Sequence, residues 1–484
     1  MKLNELTIRA FHKALNDGEI TALELVDYYL GRIEAYDHGL KAVILTNPDA
    51  RREAEKLDRY FKENGLMGPL HGVPVLVKDN VETQGIETTA GSLSLKGFVP
   101  DQDAPIVKRL KQAGAIVLAK SNLHEFAIWG ETISSILGQT VNPYDSIRTP
   151  GGSSGGTGAG MAADFALIGI GTDTINSVRS PASANNLVGI RPTIGVVSRT
   201  GIVPYSLTQD TAGPLARTVE DAVLCLEFMK GYDLEDASTA WFYDKQKQSY
   251  LEHLNKEGLK GKKIGVLSNL FGTDAIHEDT TNAVKTAVEH MREGGAEIVD
   301  VSEVFDTGAL VQDVSVHLHD FKDHLDAYLK KLPSEMPYRT MQAIVDSGQH
   351  HPGVKVNMET ALGLSTDTDL YRIRLEKRAL LQNRLMKIMA DYNVDALVYP
   401  HQKQLVCEIG GSQNERNGVL ASVTGFPSIC VPAGFSKVTE TAPLGVPIGM
   451  EIMGRPFSEP VLIEIAYGYE QLAKVRKSPV GIRE

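Results

Sequence analysis

Two clusters of small, hydroxyl-bearing residues stand out in this chain. The first is Thr149-Pro150-Gly151-Gly152-Ser153-Ser154-Gly155-Gly156-Thr157-Gly158-Ala159-Gly160. The second is Gly171-Thr172-Asp173-Thr174-Ile175-Asn176-Ser177-Val178-Arg179-Ser180-Pro181-Ala182-Ser183. Composition alone would make the first a flexible linker. Its position between the buried-looking stretches around Leu118 and 162–170 argues instead for backbone that passes close to a ligand or adopts positive φ. Phosphate cradling is excluded, because no lysine follows the glycines as in a P-loop and the Rossmann glycine spacing is missing. Gly151-Gly152-Ser153-Ser154-Gly155 also satisfies the nucleophile-elbow pattern of α/β-hydrolases, which would make the protein a serine esterase. That elbow needs a strand directly before it, whereas Asn142-Pro143-Tyr144-Asp145 and Thr149-Pro150 stand there. A third element, Lys78-Asp79-Asn80, follows an apolar run and could bring a basic group to the serines.

The elements that position these residues alternate between helix and strand. Thr21 and Glu24 form a capping-box pattern ahead of Ala22, Leu25, Val26, Tyr29 and Ile33 at helical spacing. Val75-Leu76-Val77 reads as a buried strand that ends at Lys78. Residues 104–113 read as a helix stopped by Gly114, and Ile116-Val117-Leu118 as the next strand. The same grammar returns with a helix over 279–291, strands at 264–267 and 297–301, and late strands at 428–432 and 446–452. A polar connection over 231–261 is expected to be solvated. Residues about 310–390 read as a mostly helical excursion that covers one edge of the sheet. Buried strands alternating with helices predict an α/β fold with a parallel or mixed sheet.

Lys plus Arg total 49 and Asp plus Glu total 61, so the net charge is −12. That is the wrong sign for a phosphate-backbone binder, so nucleic acid is not expected as a partner. Cys225, Cys407 and Cys430 are too far apart for a zinc knuckle or redox motif. No window approaches the roughly 18 consecutive apolar residues of a membrane-spanning helix, and the first residues lack a signal-peptide pattern. A cytoplasmic protein without membrane attachment is the expectation.

The motifs resemble the amidase signature family over nearly the whole chain. Beside the two serine clusters and Lys78-Asp79-Asn80, the match includes Leu70-His71-Gly72-Val73-Pro74, Asp210-Thr211-Ala212-Gly213-Pro214-Leu215-Ala216-Arg217, Gly425-Phe426-Pro427 and Gly454-Arg455-Pro456-Phe457. The resemblance implies one amidase domain over residues 1–484, a twisted mixed β-sheet flanked by helices on both faces, with a catalytic core at about 65–230. It implies Lys78, Ser153 and Ser177 as the catalytic triad, with Ser153 held by a cis peptide and Ser177 the nucleophile. The backbone N–H groups of Thr174, Ile175, Asn176 and Ser177 are the expected oxyanion hole, and Trp129 and Ser154 are expected to contact substrate. No metal or other cofactor is implied. The expected partner is a small-molecule amide, with a homodimer left open. A second reading is the amidotransferase component that feeds ammonia to a partner during glutamyl-tRNA amidation. The motif Gln209-Asp210-Thr211 before Gly213-Pro214 looks more like stand-alone and peptide amidases.

The chemistry sets a requirement on the lysine. A serine hydroxyl attacks an amide only if its proton is accepted, and an unperturbed lysine with a pKa of about 10.4 is charged at neutral pH. Burial at the end of an apolar strand would depress it. A neutral Lys78 could then draw a proton through Ser153 from Ser177. Ile175-Asn176 replaces the glycines that relatives place before the nucleophile, and a left-handed Asn176 is expected to preserve the loop. Asp173 and Arg179 are expected to form a structural ion pair. The His317, His319, His324 group does not share one helical face and is read as a polar helix face, not a metal site. His350-His351 is read as a surface loop.

Overall fold

The computed structural model describes residues 3–482. The strands are β1 (Val43–Thr46), β2 (Pro74–Lys78), β3 (Ile116–Ser121), β4 (Ile133–Ser134), β5 (Gly138–Gln139), β6 (Ile168–Asp173) and β7 (Val188–Arg191). They continue with β8 (Thr211–Ala216), β9 (Lys263–Leu267), β10 (Glu297–Val301), β11 (Ala396–Pro400), β12 (Ser428–Phe435) and β13 (Pro447–Met453). Eleven of them form one sheet in the order β1-β3-β2-β6-β8-β7-β12-β13-β11-β9-β10, and β4 pairs with β5 alone. The sheet is mixed. β3, β2 and β6 run parallel, as do β11, β9 and β10, and antiparallel pairs join the two groups.

Every residue of β2, β3 and β6 is buried. Strands covered on both faces have no solvent side to mark with polar residues, which is why they read as continuous apolar runs. Helices flank the sheet, among them Gly155–Ala162 against β2 and β6, Val219–Met229 against β8 and Glu278–Glu293 against β12. The helix Ala22–Leu40 opens with the expected capping box, Thr21 and Glu24 bonding reciprocally. The glycine-rich segment is a packed element. A Cβ on Gly156 would lie 2.3 Å from the carbonyl oxygen of Asn122, so only glycine lets this helix approach so closely.

Two expectations need correction. The connection over 231–261 is polar in composition but not simply solvated, because Phe242 and Tyr250 are buried against the core. Between β10 and β11 lie the helices Thr307–Asp313, His317–Leu329, Met341–Ser347, Pro352–Leu362 and Asp369–Asp391. The last packs Leu381, Leu385 and Ile388 with Leu267, Val301 and Leu397 beside β9, β10 and β11. The His317–Leu329 and Pro352–Leu362 helices instead pack with Phe98, Phe126 and Tyr205, over the loops that leave the sheet. Among the described residues no helix is long and apolar enough to cross a membrane.

Candidate active site

Parallel strands deliver their last residues to one edge of a sheet, where ligands of α/β folds bind. Here β2 ends in Lys78, with Ser121 of β3 opposite it and Asp173 closing β6. Lys78 is fully buried. Its Nζ donates to Ser153 Oγ at 2.8 Å and to Thr172 Oγ1 at 2.8 Å, and Asn80 donates to the same threonine oxygen at 3.1 Å. Burial lowers the Lys78 pKa to about 7, against the opposing pull of Asp173 and Asp210. The charged ammonium would lose its hydration here without gaining an adjacent carboxylate, so the neutral amine is favoured.

The two serine clusters meet. The Ser154 N–H donates to the Ser177 carbonyl at 3.2 Å, and the Gly152–Ser153 peptide is cis. The Ser153 carbonyl accepts from the His124 N–H at 2.9 Å. Ser177 is 5 % exposed, whereas Ser153 is fully covered. The Ser177 hydroxyl makes no hydrogen bond among the described residues, and neither do the backbone N–H groups of Thr174, Ile175, Asn176 and Ser177. Four uncommitted N–H donors beside a free serine hydroxyl are the arrangement that an oxyanion site requires. Ser154 is placed differently from Trp129. Its buried hydroxyl bonds both backbone groups of Thr172, at 3.2 and 3.3 Å, and so ties the glycine-rich helix to β6.

A buried ionic network holds the loop that carries Ser177. Arg179 donates to Asp173 at 3.1 Å, to Glu451 at 2.7 Å and to the Ile175 carbonyl at 2.9 Å. Arg191 adds a second cation to Asp173 at 2.8 Å. His401 and Ser428 bond Glu451, each at 2.7 Å. Burial alone would raise both acids, but the guanidinium groups outweigh it and hold Asp173 well below the carboxylate range and Glu451 at about 2. Asp173 and Arg179 therefore form the expected ion pair. The Thr174 hydroxyl donates to Asp210 at 2.5 Å, and Gln209 reaches the Thr174 carbonyl at 3.4 Å.

Thr172, Gln209, Asp210 and Glu451 thus join the site without a role assigned from sequence. Thr172 and Asp210 lie inside the serine and Asp-Thr motifs, whereas Glu451 sits in an apolar strand pattern, where a lone acid was the available signal. The left-handed Asn176 is overturned: neither Ile175 nor Asn176 has positive φ. The loop keeps its shape through Arg179 and the Ser422 hydroxyl, which both bond the Ile175 carbonyl, so glycine is not needed there. Trp129 is half-buried, with its Nε1 donating to Ser412 Oγ at 3.2 Å.

The expected polar helix face is corrected, because His317 and His319 are buried against the loops. His317 is bonded to Ser315 at 2.6 Å, and burial lowers its pKa to about 3. His324 accepts from the Leu207 N–H. Among the described residues no three His, Cys, Asp or Glu side chains are grouped to hold a metal. His350-His351 is not a free surface loop, since His350 is buried and His351 caps the helix Pro352–Leu362. Around Ser153 a helix follows directly, but no strand of the described residues precedes it after β5, so the α/β-hydrolase elbow is absent.

Known proteins share this sequence pattern and fold along their whole length. The Amidase family profile matches residues 24–463. The A-subunit of the glutamyl-tRNA(Gln) amidotransferase of Thermoanaerobacter pseudethanolicus is 32% identical, covering 100% of this chain and 99% of its own. The crystal structure of native peptide amidase from Stenotrophomonas maltophilia superposes with a TM-score of 0.90 at 36% identity, covering 99% of both chains. The corresponding glutamyl-tRNA(Gln) amidotransferase chain of Thermotoga maritima superposes with a TM-score of 0.75 at 25% identity, covering 99% of this chain and 97% of that one. From its motifs, its mixed sheet and these full-length matches, the chain belongs to the amidase signature family.

Proposed function

We propose that this protein hydrolyses a carboxamide C–N bond through an acyl-enzyme on Ser177, with residues 1–484 acting as one catalytic unit. The observation that carries this reading is the buried Lys78 amine, 2.8 Å from Ser153 Oγ with a pKa near 7. Neutral Lys78 takes the Ser153 proton as Ser153 takes that of Ser177, and the Ser177 oxygen attacks the carbonyl carbon. The hydroxyl of Ser177 is committed to no partner among the described residues, so its proton is free to pass to Ser153 once substrate is seated. The N–H groups of residues 174–177 stabilise the tetrahedral oxyanion. The relay then runs back, Ser153 protonates the departing nitrogen, and the C–N bond breaks. Water hydrolyses the ester by the same route, releasing the acid. Trp129 lines the substrate cleft.

The deciding experiment is to purify the chain alone and assay a panel of amides for released ammonia or amine. Turnover without a partner supports the stand-alone amidase. The relation to the glutamyl-tRNA(Gln) amidotransferases supports a second reading, in which ammonia is released from glutamine for a partner. An inert chain that turns over glutamine only with added partner chains would establish that reading. The peptide amidase superposes more closely than the Thermotoga maritima amidotransferase chain, which favours the first.

The pKa of Lys78 sets the pH dependence. Its protonated form cannot accept a proton, so kcat/KM is expected to fall with decreasing pH through about 7 and to level off above it. The profile should show one dominant ionisation in the free enzyme. A kcat/KM flat from about pH 5 to 10 would remove lysine as the base.

A further inference from the structure

A cleft next to the Ser177 loop holds a guanidinium that pairs with no carboxylate among the described residues. The cleft, of about 560 Å³, is lined by Trp129, Lys403, Gln413, Arg416 and Val419, together with residues 305–308, 311 and 312. Both serine clusters adjoin its wall. Gly130, next to Trp129, lies so close to Gly152 that a Cβ there would sit 2.8 Å from the Gly130 carbonyl oxygen. Val419 shares an apolar cluster with Ile175 of the nucleophile loop, and Arg179 bonds the Gly418 carbonyl at 2.8 Å.

The Arg416 guanidinium stands over the Trp129 ring, 4.9 Å from its centre. Among the described residues it makes no ion pair and no side-chain hydrogen bond. The buried arginines of the core behave differently from half-buried Arg416. Arg179, Arg191 and Arg217 each have a carboxylate within 4.0 Å. The acids around Arg416 are engaged elsewhere. Glu131 accepts from the N–H groups of Gln413 at 3.0 Å and Gly130 at 3.2 Å. Glu415 is bonded to His277 at 2.8 Å, and Asp306 caps a helix through the Ala309 N–H at 3.0 Å. Lys403 adds a second cation to the cleft, also without an ion pair among the described residues. Burial disfavours the Arg416 charge, with Glu131 and Tyr205 opposing that effect. A guanidinium without a carboxylate partner, placed over an aromatic ring, is suited to grip a carboxylate through two parallel hydrogen bonds.

We propose that Arg416 is a specificity-determining residue that binds a carboxylate on the substrate, and that the substrates are acidic amides, namely monoamides of dicarboxylic acids. The inference rests on the amidase reading above and adds the substrate class to it. Glutaramate carries such a carboxylate, and valeramide has a methyl group in its place. Wild-type protein is expected to favour glutaramate in kcat/KM by at least about tenfold, the size of a charge-assisted hydrogen bond to a partly desolvated group. Arg416→Met should cut the glutaramate-to-valeramide ratio by about 10–100-fold, and Arg416→Lys should keep part of it, because the charge remains while the fork is lost. A wild-type ratio at or below one, or a ratio unchanged in Arg416→Met, overturns the proposal.

Binding gives a readout independent of turnover. The chain has two tryptophans, Trp129 and Trp241. In Trp241→Phe protein, glutarate should therefore change the fluorescence of Trp129 alone. The response should weaken with salt and disappear on adding Arg416→Met. With Ser177→Ala as a further change, glutarate should still bind. Glutarate binding by a wild-type chain that hydrolyses no amide of the panel would sink the amidase reading and leave the anion site standing. Absence of any glutarate response would sink the anion site, whatever the hydrolytic activity.

Discussion

Ser177→Ala is expected to lower kcat by on the order of 10⁶, the cost of removing the nucleophile from a unit whose members act together. Lys78→Ala should be comparably severe, because Lys78 is the sole base bonded to Ser153 among the described residues, and Ser153→Ala should lower the rate by several orders of magnitude. These effects should not add, since each change disables the same proton relay. Released ammonia or amine, measured on variants whose circular dichroism matches the parent, reads the effect. A fluorophosphonate probe should label the parent and fail on Ser177→Ala. Full turnover in any of the three variants would end the mechanism. A rate that falls with chelator and returns with zinc would point instead to metal-assisted hydrolysis.

Arg179→Met is expected to cost about 3–5 kcal/mol of stability, because it removes the cation that two buried acids share. Asp173 keeps Arg191, but Glu451 is left without a guanidinium. The pH dependence identifies the cause. In the parent both carboxyl groups are held below their unfolded values, so they stabilise the fold above pH about 4 and that contribution is lost only as pH falls through the depressed folded values. In the variant, burial without Arg179 raises the folded pKa of Glu451, so the penalty grows as pH rises. The deficit, read by urea denaturation, should therefore be smaller at pH 5 than at pH 8. An equal deficit at both values would mean that lost packing, not an unpaired charge, is responsible.

The sequence by itself determined the family and most of the elements that position the candidate site residues. Val75-Leu76-Val77 ends in Lys78 with no polar face, a pattern that a strand buried on both sides imposes locally. The Thr21 and Glu24 cap and the helix and strand at 278–301 were legible for the same reason: their signals lie within a few residues. Tertiary structure decided what depends on partners far along the chain. Lys78 meets Ser153 across 75 residues and Arg179 meets Glu451 across 272. No local periodicity encodes such pairs. The depressed pKa of Lys78 likewise follows from what surrounds it in space. Asn176 shows the limit most clearly. The family resemblance led to an expectation of left-handed backbone there, yet its φ is not positive, because distant side chains hold the neighbouring carbonyl and set the shape of the loop. Burial, charge and hydrogen-bond partners are properties of the folded surroundings, so only the assembled chain could bring the two serine clusters to a buried lysine of lowered pKa.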